Sequence, residues 1–397
     1  MKITFVSNYI NHHQIPLSNA LYGMLEGEYC FVQTEPMEEE RLKMGWQSVA
    51  DEIPYVKKYY ENPVECAKLI DESDVVIFGG TDDESYIKER LNKDKFTIRY
   101  FERIYKTGQW KMISPRGLVK KYNDHIRYRK KEVYLLCAGG YVADDFHLIG
   151  AYPKKMMKWG YFPENKRYEI DSLLTQKQKK GKPLLLWTGR MLGWKHPEYA
   201  VLLANELKKN GYVFSLHMVG NGEQKEKIVA MVNDFGLQNE VTLFDFMTPK
   251  EVREKMEEAD VYLITSDRME GWGAVVNEAM NSGCAVVASH MIGATPYLIK
   301  HEKNGLVFKS GDIKSLTNEV TKVLTDLSFR MKLGKSAYET IDTKWNAREA
   351  AKRLLEFVNT KEMSGYSDGP CSVAKPVREY KMYKLLTKQS NRRNADE

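Results

Sequence analysis

Two glutamates stand eight positions apart in a segment with the pattern of a strand, a helix and a second strand. Val261–Thr265 and Ala285–Ala288 are short apolar runs that predict the two strands, and Gly283 is typical of a helix end. Such a unit normally joins parallel strands, and ligands bind beyond their carboxyl ends. The loop that begins at Glu270 therefore lies at the predicted ligand site, and Glu278 lies inside the helix.

The start of this helix is a predicted site for an anionic group such as a diphosphate. Gly271 and Gly273 leave backbone amides open there, and unpaired amides favour negative charge. Glu270 and Glu278 can then accept hydrogen bonds from the hydroxyls of a ribose and of a sugar, at about 1.5–3 kcal/mol each. For either glutamate alone, a solvated loop or helix charge is the alternative interpretation.

This segment resembles the retaining glycosyltransferases of the GT4 family, also called glycosyl transferases group 1. The family pattern is E-G-aromatic-G, an apolar stretch and E-A. It stands here as Glu270, Gly271, Trp272, Gly273 and then Glu278, Ala279. Other pieces follow the family's order along the carboxyl-terminal half of the chain: Gly189, Arg190 and Lys195, the turn Gly220, Asn221, Gly222, Glu223, and His301–Leu306.

The resemblance implies roles for these residues. Arg190 and Lys195 hold the donor diphosphate and stabilise the departing nucleoside diphosphate, and they share the catalytic role with Glu270, which holds the transferred sugar. A second set is assigned to donor binding: Glu278, Gly271, Trp272, Gly273, Gly189 and Asn221. The expected donor is a nucleoside diphosphate sugar of the UDP or GDP type. No metal is required, and we interpret the acidic cluster at Asp82, Asp83 and Glu84 as a helix cap or a solvated turn.

The predicted fold class is α/β. The resemblance implies the GT-B architecture, in which two doubly wound Rossmann-like domains face a cleft. We place an acceptor-side domain at 1–165, a linker at 164–182, a nucleotide-sugar-binding domain at 183–345, a cross-over helix at 346–359 and a basic tail at 360–397. The tail is expected to be mobile, with an ordered lid as the alternative. Nine apolar runs predict strands: 3–7, 74–78, 96–100, 133–137, 184–188, 213–219, 241–244, 261–265 and 285–288.

Composition fits a globular protein of a reducing compartment. The chain has 397 residues, of which 43% are hydrophobic and 29% charged, and its five cysteines are scattered without metal-ligand spacing. Met1–Ile10 has the pattern of a first strand rather than of a signal peptide, and no apolar run reaches the roughly 18 residues of a membrane helix. We therefore expect a cytoplasmic protein.

The resemblance weakens in the first domain. His12 and His13 follow the first strand, where they are predicted to contact the acceptor or the donor phosphate, with a solvated cap as the alternative. Glu102 stands where the family often has a histidine. In the second domain Phe244, Asp245 and Phe246 stand where a glycine is common, which leaves the base of the donor open.

A basic segment runs from Lys106 to Lys131. It contains nine Lys or Arg residues and one acid, Asp124, interleaved with apolar residues such as Trp110 and Val119. A solvated helix face explains the charge alone, whereas the exposed apolar residues favour peripheral contact with an anionic membrane on its inner face. No nucleic-acid motif accompanies the charge, so we expect no nucleic-acid partner.

The sequence therefore predicts a retaining glycosyltransferase that moves a sugar from a nucleoside diphosphate sugar to a saccharide or lipid-linked acceptor, as in surface polysaccharide biosynthesis. Two alternatives remain open. A nucleotide-sugar epimerase shares the GT-B fold and converts its donor without an acceptor. A noncatalytic nucleotide-sugar-binding partner subunit keeps the donor site but has lost the acceptor site.

Overall fold

The computed structural model describes residues 1–39, 41, 48–179, 181–363 and 365–391. They form two compact units. The first unit comprises Met1–Glu164 and Trp345–Val377, and the second comprises Asn165–Lys344 with the described part of Arg378–Glu397. Lys180, in the predicted linker, and residues 392–397, at the end of the predicted basic tail, lie outside the described residues.

The first unit is built on a parallel sheet of seven strands in the order β3-β2-β1-β4-β5-β6-β7. Its central strands are apolar because helices cover both faces of the sheet, as in doubly wound folds. The strands are β1 (Ile3–Ser7), β2 (Tyr29–Gln33), β3 (Val56–Lys58), β4 (Val75–Gly79), β5 (Thr97–Phe101), β6 (Val133–Ala138) and β7 (Met156–Trp159). The helices are α1 (Ile15–Met24), α2 (Pro63–Glu72), α3 (Ser85–Asn92), α4 (Pro115–Asp124), α5 (Val142–Leu148) and α14 (Ala347–Thr360).

The second unit contains a parallel sheet of six strands in the order β10-β9-β8-β11-β12-β13. Its strands are β8 (Leu184–Thr188), β9 (Ser215–Val219), β10 (Val241–Phe244), β11 (Val261–Ile264), β12 (Ala285–Ser289) and β13 (Leu306–Phe308). Its helices are α6 (Ile170–Gln178), α7 (Pro197–Lys209), α8 (Lys225–Asp234), α9 (Pro249–Glu258), α10 (Val275–Asn281), α11 (Thr295–Leu298), α12 (Ile313–Thr325), α13 (Leu327–Thr343) and α15 (Glu379–Asn391). Two doubly wound units confirm the predicted α/β class.

The interpretation of 164–182 as a linker was wrong in its extent, because α6 lies inside that range. Leu174 and Lys177 of this polar helix are buried in the second unit. The Lys177 ammonium donates to the carbonyl oxygens of Ala259 at 2.6 Å and Ser282 at 2.7 Å. Hydrogen bonds to backbone carbonyls stabilise the charge of this buried lysine. Sequence composition alone predicts that such a residue is exposed, which is why the helix was interpreted as a linker.

The expectation of a mobile tail was also wrong for the described residues. After α14, which packs against α1 in the first unit, the chain pairs with the edge strand β7. The Lys158 amide donates to the Ser372 carbonyl at 2.7 Å, the Cys371 amide donates to the Lys158 carbonyl at 2.9 Å, and Cys371 is fully buried. Helix α15 then packs on the second unit with Met382 buried.

In the described part of the chain, no helix has both the length and the apolar character needed to cross a bilayer. All five cysteines are buried and none forms a disulfide. Burial raises the pKa of each of these thiols; the pKa of Cys66, for example, rises to about 11. They therefore act as small apolar side chains in the two cores.

Candidate donor site

The candidate donor site lies at the carboxyl edge of the second sheet, where adjacent strands end. Strand β11 pairs with β8 on one side and with β12 on the other, all in parallel. The loop after β8 therefore runs beside the loop after β11. This adjacency brings the segment 189–196 to the segment 265–274, as the sequence pattern predicts.

An ion pair between Lys195 and Glu270 joins these two loops. The Lys195 Nζ lies 2.6 Å from the Glu270 Oε2, and the two side chains are only 16% and 14% exposed. The Ser266 hydroxyl donates to the same carboxylate oxygen at 3.0 Å, and the Lys195 ammonium lies 4.5 Å from the centre of the Trp194 ring. The pair places an ammonium group next to a carboxylate that can accept hydrogen bonds from sugar hydroxyls.

The main chain of Lys195 is held from the neighbouring strand. The Thr265 hydroxyl donates to the Lys195 carbonyl oxygen at 2.7 Å and accepts from the indole N–H of Trp187 at 2.9 Å. Trp187 is buried in β8, so this chain of hydrogen bonds fixes the Lys195 backbone against the sheet. Neither Thr265 nor Ser266 was assigned a site role from the sequence, because hydroxyl residues after a strand are common and carry no distinctive spacing.

Glycines allow the loops after β8 and β9 to approach at backbone distance. A Cβ atom at Gly220 would lie 3.0 Å from the Gly189 carbonyl carbon and closer still to its oxygen, and one at Gly222 would lie 2.8 Å from the Met191 oxygen. Asn221 lies between them, and its Oδ1 accepts from the Gly222 amide at 2.8 Å. The Asn221 side chain thus stabilises its own turn. Arg190 is partly exposed, immediately after Gly189.

The buried side chain of Trp272 holds the loop that begins at Glu270. Its ring is 1% exposed, and its indole N–H donates to the Asn277 Oδ1 at 2.9 Å. The sequence predicts this residue to bind the donor, but the burial of its ring leaves only its main-chain atoms for that role. Gly273 has a φ of +88°, which a residue with a side chain rarely adopts, and this allows the chain to turn from the loop into α10.

Glu278 lies in α10 and is partly exposed. Burial raises the pKa of its carboxyl group, and the charge of Arg253 opposes this rise. Burial is also the largest cause that raises the pKa of the Tyr262 hydroxyl, and the charges of Glu278 and Glu270 raise it further. Both carboxylates therefore act electrostatically on the same tyrosine of β11.

The candidate acceptor-side residues lie in the first unit. The rings of His12 and His13 are 3.9 Å apart, and Tyr161 stacks on His13 at 6.1 Å. The Tyr161 hydroxyl donates to the Glu102 Oε1 at 2.6 Å, and the Lys106 ammonium bonds to the other carboxylate oxygen. Tyr161 was missed because strand β7, which precedes it, was not predicted.

The two histidines are neutral at physiological pH. Burial, aided by the charge of Arg41, lowers the pKa of His12 to about 4. Burial also lowers the pKa of His13 well below its usual value. They can donate or accept hydrogen bonds, but they bring no positive charge to a phosphate. A saccharide hydroxyl is the better match for this cluster.

One group in the described part of the chain has the spacing of metal ligands: His301, Glu302 and Glu319. The Lys322 ammonium already bonds to both carboxylates, at 2.8 Å and 3.0 Å. The His301 Nδ1 accepts from the Val307 amide at 3.0 Å, so the Nε2 that faces the carboxylates carries the proton of the neutral ring. These contacts describe an ion-pair cluster.

Each unit is doubly wound around a sheet of parallel strands, and solved glycosyltransferases of the GT-B fold align with the chain. A family model described as "Glycosyl transferases group 1" matches residues 171–340, which lie in the second unit. This confirms the resemblance to glycosyl transferases group 1 over those residues.

Relatives and solved structures agree with this class. The chain is 27% identical over 157 residues to the amylovoran biosynthesis glycosyltransferase AmsK of Erwinia amylovora, covering 38% of each chain. It is 24% identical over 171 residues to the poly(ribitol-phosphate) alpha-N-acetylglucosaminyltransferase of Staphylococcus aureus, covering 43% of this chain and 34% of that protein. The matches thus span well under half the length of these relatives. The crystal structure of HepE from Anabaena in complex with UDP aligns with a TM-score of 0.69 and 14% identity, covering 91% of this chain and 100% of that one.

Proposed function

We propose that the protein is a retaining glycosyltransferase that transfers a sugar from a nucleoside diphosphate sugar to a saccharide acceptor. The observation that carries this proposal is the Lys195–Glu270 ion pair, held at the carboxyl edge of a sheet in a group 1 glycosyltransferase domain. AmsK and the Staphylococcus aureus relative are both named as glycosyltransferases, and HepE was solved with UDP bound; both facts support the same chemistry.

The residues suggest a division of labour. Lys195 and Arg190 bind the donor diphosphate and stabilise the negative charge that develops on the leaving group. Glu270 accepts hydrogen bonds from the transferred sugar, and Glu278 accepts them from the ribose. When the donor binds, Lys195 exchanges part of its contact with Glu270 for phosphate oxygens, and the carboxylate becomes available to the sugar hydroxyls. Two basic side chains supply the charge stabilisation, and no metal is assigned to this step.

Nucleotide-induced stabilisation tests the donor site. A ligand that binds only the folded state adds about 2.7 kcal/mol of stability at 100 times its dissociation constant. UDP or GDP is expected to raise the melting temperature of the wild type, and replacement of both Arg190 and Lys195 by alanine to abolish the rise. Lys209→Ala, at an exposed position on α7, is the matched control and keeps it. If no nucleoside diphosphate shifts the wild type at millimolar concentration, the donor-site assignment fails.

Turnover distinguishes transfer from other uses of the same donor. A panel of nucleotide sugars is incubated with the protein, with and without a membrane extract that supplies acceptors. A transferase releases nucleoside diphosphate and extends a glycan with retained anomeric configuration. Conversion of the donor without any acceptor would instead support an epimerase, and binding without either reaction would support a noncatalytic subunit.

We further propose that the acceptor is a lipid-linked saccharide of surface polysaccharide biosynthesis and that the first unit rests on an anionic membrane. The basic segment carries a patch of apolar side chains in solvent: Trp110 is 69% exposed, Ile113 74% and Val119 62%. Lys111 and Arg116 lie on the same exposed stretch. Basic residues near an anionic surface contribute about 1 kcal/mol each, and the apolar side chains can enter the interface.

The contacts within the first unit decide which residues test this surface. Lys131 donates to the carbonyls of Leu91 and Asn92 at the end of α3, and burial lowers the pKa of Lys121. Charge reversal there would disturb the fold, so Lys111 and Arg116 are the better targets.

Sedimentation with vesicles that contain anionic lipid is the measurement. We expect Trp110→Ser with Ile113→Ser, and separately Lys111→Glu with Arg116→Glu, to reduce binding and to leave the nucleotide-induced melting shift intact. Val64→Ser is the matched control, because Val64 is 84% exposed on α2 of the same unit. Binding should also fall as salt rises, since screening shortens the range of the attraction. A wild type that does not sediment would show that the patch is a solvated face.

A further inference from the structure

The residue that follows Lys195 is held between two carboxylates from different segments. The His196 Nδ1 lies 2.9 Å from the Glu198 Oε1, and its Nε2 lies 3.5 Å from the Asp267 Oδ2. Glu198 belongs to the first turn of α7, whereas Asp267 belongs to the loop after β11. The His196 side chain is 24% exposed, so this contact is shielded from most of the solvent.

The backbone at His196 is unusual in the same place. His196 has a φ of +49°, in the left-handed region that residues with a side chain seldom adopt, and it directly precedes α7. The Tyr199 ring stacks on the imidazole at 4.6 Å with an angle of 11°. A strained backbone persists only where its surroundings hold it, and the two carboxylates and the stacked ring are the groups that do so here.

Two hydrogen bonds to main-chain carbonyls, those of Trp194 and of Lys195 itself, join the same two loops. The Asp267 amide donates to the Trp194 carbonyl at 3.0 Å, and the Thr265 hydroxyl donates to the Lys195 carbonyl at 2.7 Å. The His196–Asp267 contact adds a third link one residue further along. Lys195 therefore lies in the middle of three consecutive residues that are tied to 265–267.

We propose that His196, as an imidazolium held by Glu198 and Asp267, is a positioning residue that locks the Lys195 loop to the Glu270 loop and so presets the lysine for the donor diphosphate. The part that concerns the diphosphate rests on the function proposed above. The loop-locking part does not, because it concerns contacts that exist without a ligand.

The charges around the ring favour its protonated form. Hydrogen bonds to Asp267 and Glu198 raise the pKa of His196 to about 9, from an ordinary value of 6.5. The same contacts lower the pKa of both carboxyl groups. Three further titratable groups bear on this cluster. The charge of Lys227 lowers the pKa of Glu198, the charge of Arg268 lowers the pKa of Asp267, and burial raises the pKa of the Tyr199 hydroxyl.

The sign of the pH dependence follows. Because the folded-state pKa of His196 is raised, the lock is fully formed below about pH 6.5 and is lost as the pH rises through about 9. It is lost again at acid pH, as the two carboxylates become protonated. An enzyme with this lock should bind its donor best between these limits, and a variant without the imidazole should not show the loss at alkaline pH.

The first measurement needs no ligand. Hydrogen exchange at the Asp267 amide reports the link to Trp194, and imidazole nitrogen NMR reports the pKa of His196. We expect His196→Gln to speed exchange at Asp267 at neutral pH, and the wild type to approach the variant above about pH 9–10. His147→Gln, at an exposed histidine of the first unit, is the matched control and leaves the exchange unchanged. Equal exchange in the wild type and His196→Gln at neutral pH would refute the lock.

The second measurement is UDP affinity as a function of pH, by calorimetry. His196→Gln is expected to bind UDP about tenfold more weakly than the wild type at neutral pH, with a difference that disappears at alkaline pH. Asp267→Asn, which keeps the shape but removes one charge, should lie between them. If the wild type binds no nucleotide, the donor-site assignment is refuted. The hydrogen-exchange measurement then still tests whether His196 holds the Lys195 loop to the Glu270 loop. A His196→Gln variant with the pH profile and affinity of the wild type would overturn the positioning role.

Discussion

Replacement of Gly293 by alanine is a direct test of how the donor loop is held. Gly293 follows β12 and passes under the loop that begins at Glu270. Its amide donates to the Glu270 carbonyl at 3.3 Å, and the next amide, of Ala294, donates to the Trp272 carbonyl at 2.9 Å. A Cβ atom at Gly293 would lie 2.7 Å from the Gly271 carbonyl carbon and closer still to its oxygen. The opposing atoms are backbone, so no side-chain rotation can relieve the clash.

The magnitude follows from what must move. Overpacking of a close contact costs about 1–3 kcal/mol. Displacement of the loop would also weaken the two hydrogen bonds from the Gly293 and Ala294 amides, each of which contributes about 0.5–1.5 kcal/mol. We expect Gly293→Ala to lower the free energy of unfolding by about 2–6 kcal/mol. For a unit of this size about 1 kcal/mol corresponds to 2–4 °C in melting temperature. The nucleotide-induced shift should also shrink, because the displaced atoms belong to Gly271 and its neighbours.

Gly193→Ala is the matched control in the same unit. A Cβ atom there would have its nearest neighbour, the Glu223 Oε1, at 3.7 Å, which is ordinary contact, and Gly193 does not have a positive φ. The control should change the free energy of unfolding by less than about 0.5 kcal/mol. Denaturant unfolding and thermal shifts with UDP measure both effects. A Gly293→Ala protein as stable as the control, with its nucleotide shift retained, would refute the claim that close backbone packing holds the loop.

Two further predictions concern the charged groups. Glu278→Gln is expected to weaken free UDP and UDP-sugar alike, whereas Glu270→Gln should spare free UDP and lower turnover; equal loss of UDP affinity in a calorimetric titration would contradict this division. A double-mutant cycle with Lys195→Met and Glu270→Gln should give a coupling free energy of about 1–3 kcal/mol in denaturant unfolding, because the pair is mostly shielded from water. A coupling near zero would show that the pair adds nothing to stability.

The strand positions were predictable because central strands of a doubly wound sheet are buried on both faces. Ile3–Ser7, Leu184–Thr188 and Val241–Phe244 were predicted with the bounds that the structure has. Four strands were not predicted, and two of them, β2 (Tyr29–Gln33) and β7 (Met156–Trp159), were missed although they are largely buried. The other two lack this signal. Val56–Lys58 is an edge strand with partly exposed side chains, and Leu306–Phe308 has only three residues, so neither forms an apolar run long enough to recognise.

The proximity of the two loops of the candidate site was predictable, and their side-chain contacts were less so. Neighbouring parallel strands determine that Lys195 and Glu270 lie close together, and strand order follows from the alternating pattern and the family resemblance. The direct ion pair, the hydroxyl of Ser266 and the burial of Trp272 depend on side-chain packing across loops. Local sequence contains no periodicity that reports such packing, which is why an aromatic residue in a glycine-rich loop was assigned to ligand binding.

The contacts at the carboxyl edge form one connected series across four adjacent strands. Gly220 after β9 packs on Gly189 after β8, the β8 loop is tied to the β11 loop through Lys195 and Glu270, and the β11 loop rests on Gly293 after β12. At both ends of the series the contact is between backbones, which cannot adjust by rotation. In the middle, hydrogen bonds to the Trp194 and Lys195 carbonyls hold the main chain, whereas the ion pair is between charged side chains, which can rotate. The rigid ends fix where the two loops lie, and the side-chain pair in the middle is the part able to rearrange. A diphosphate that draws Lys195 away from Glu270 can therefore be accommodated without movement of the sheet edge. The Lys195 ammonium changes its ion-pair partner while the backbone of the two loops stays in place.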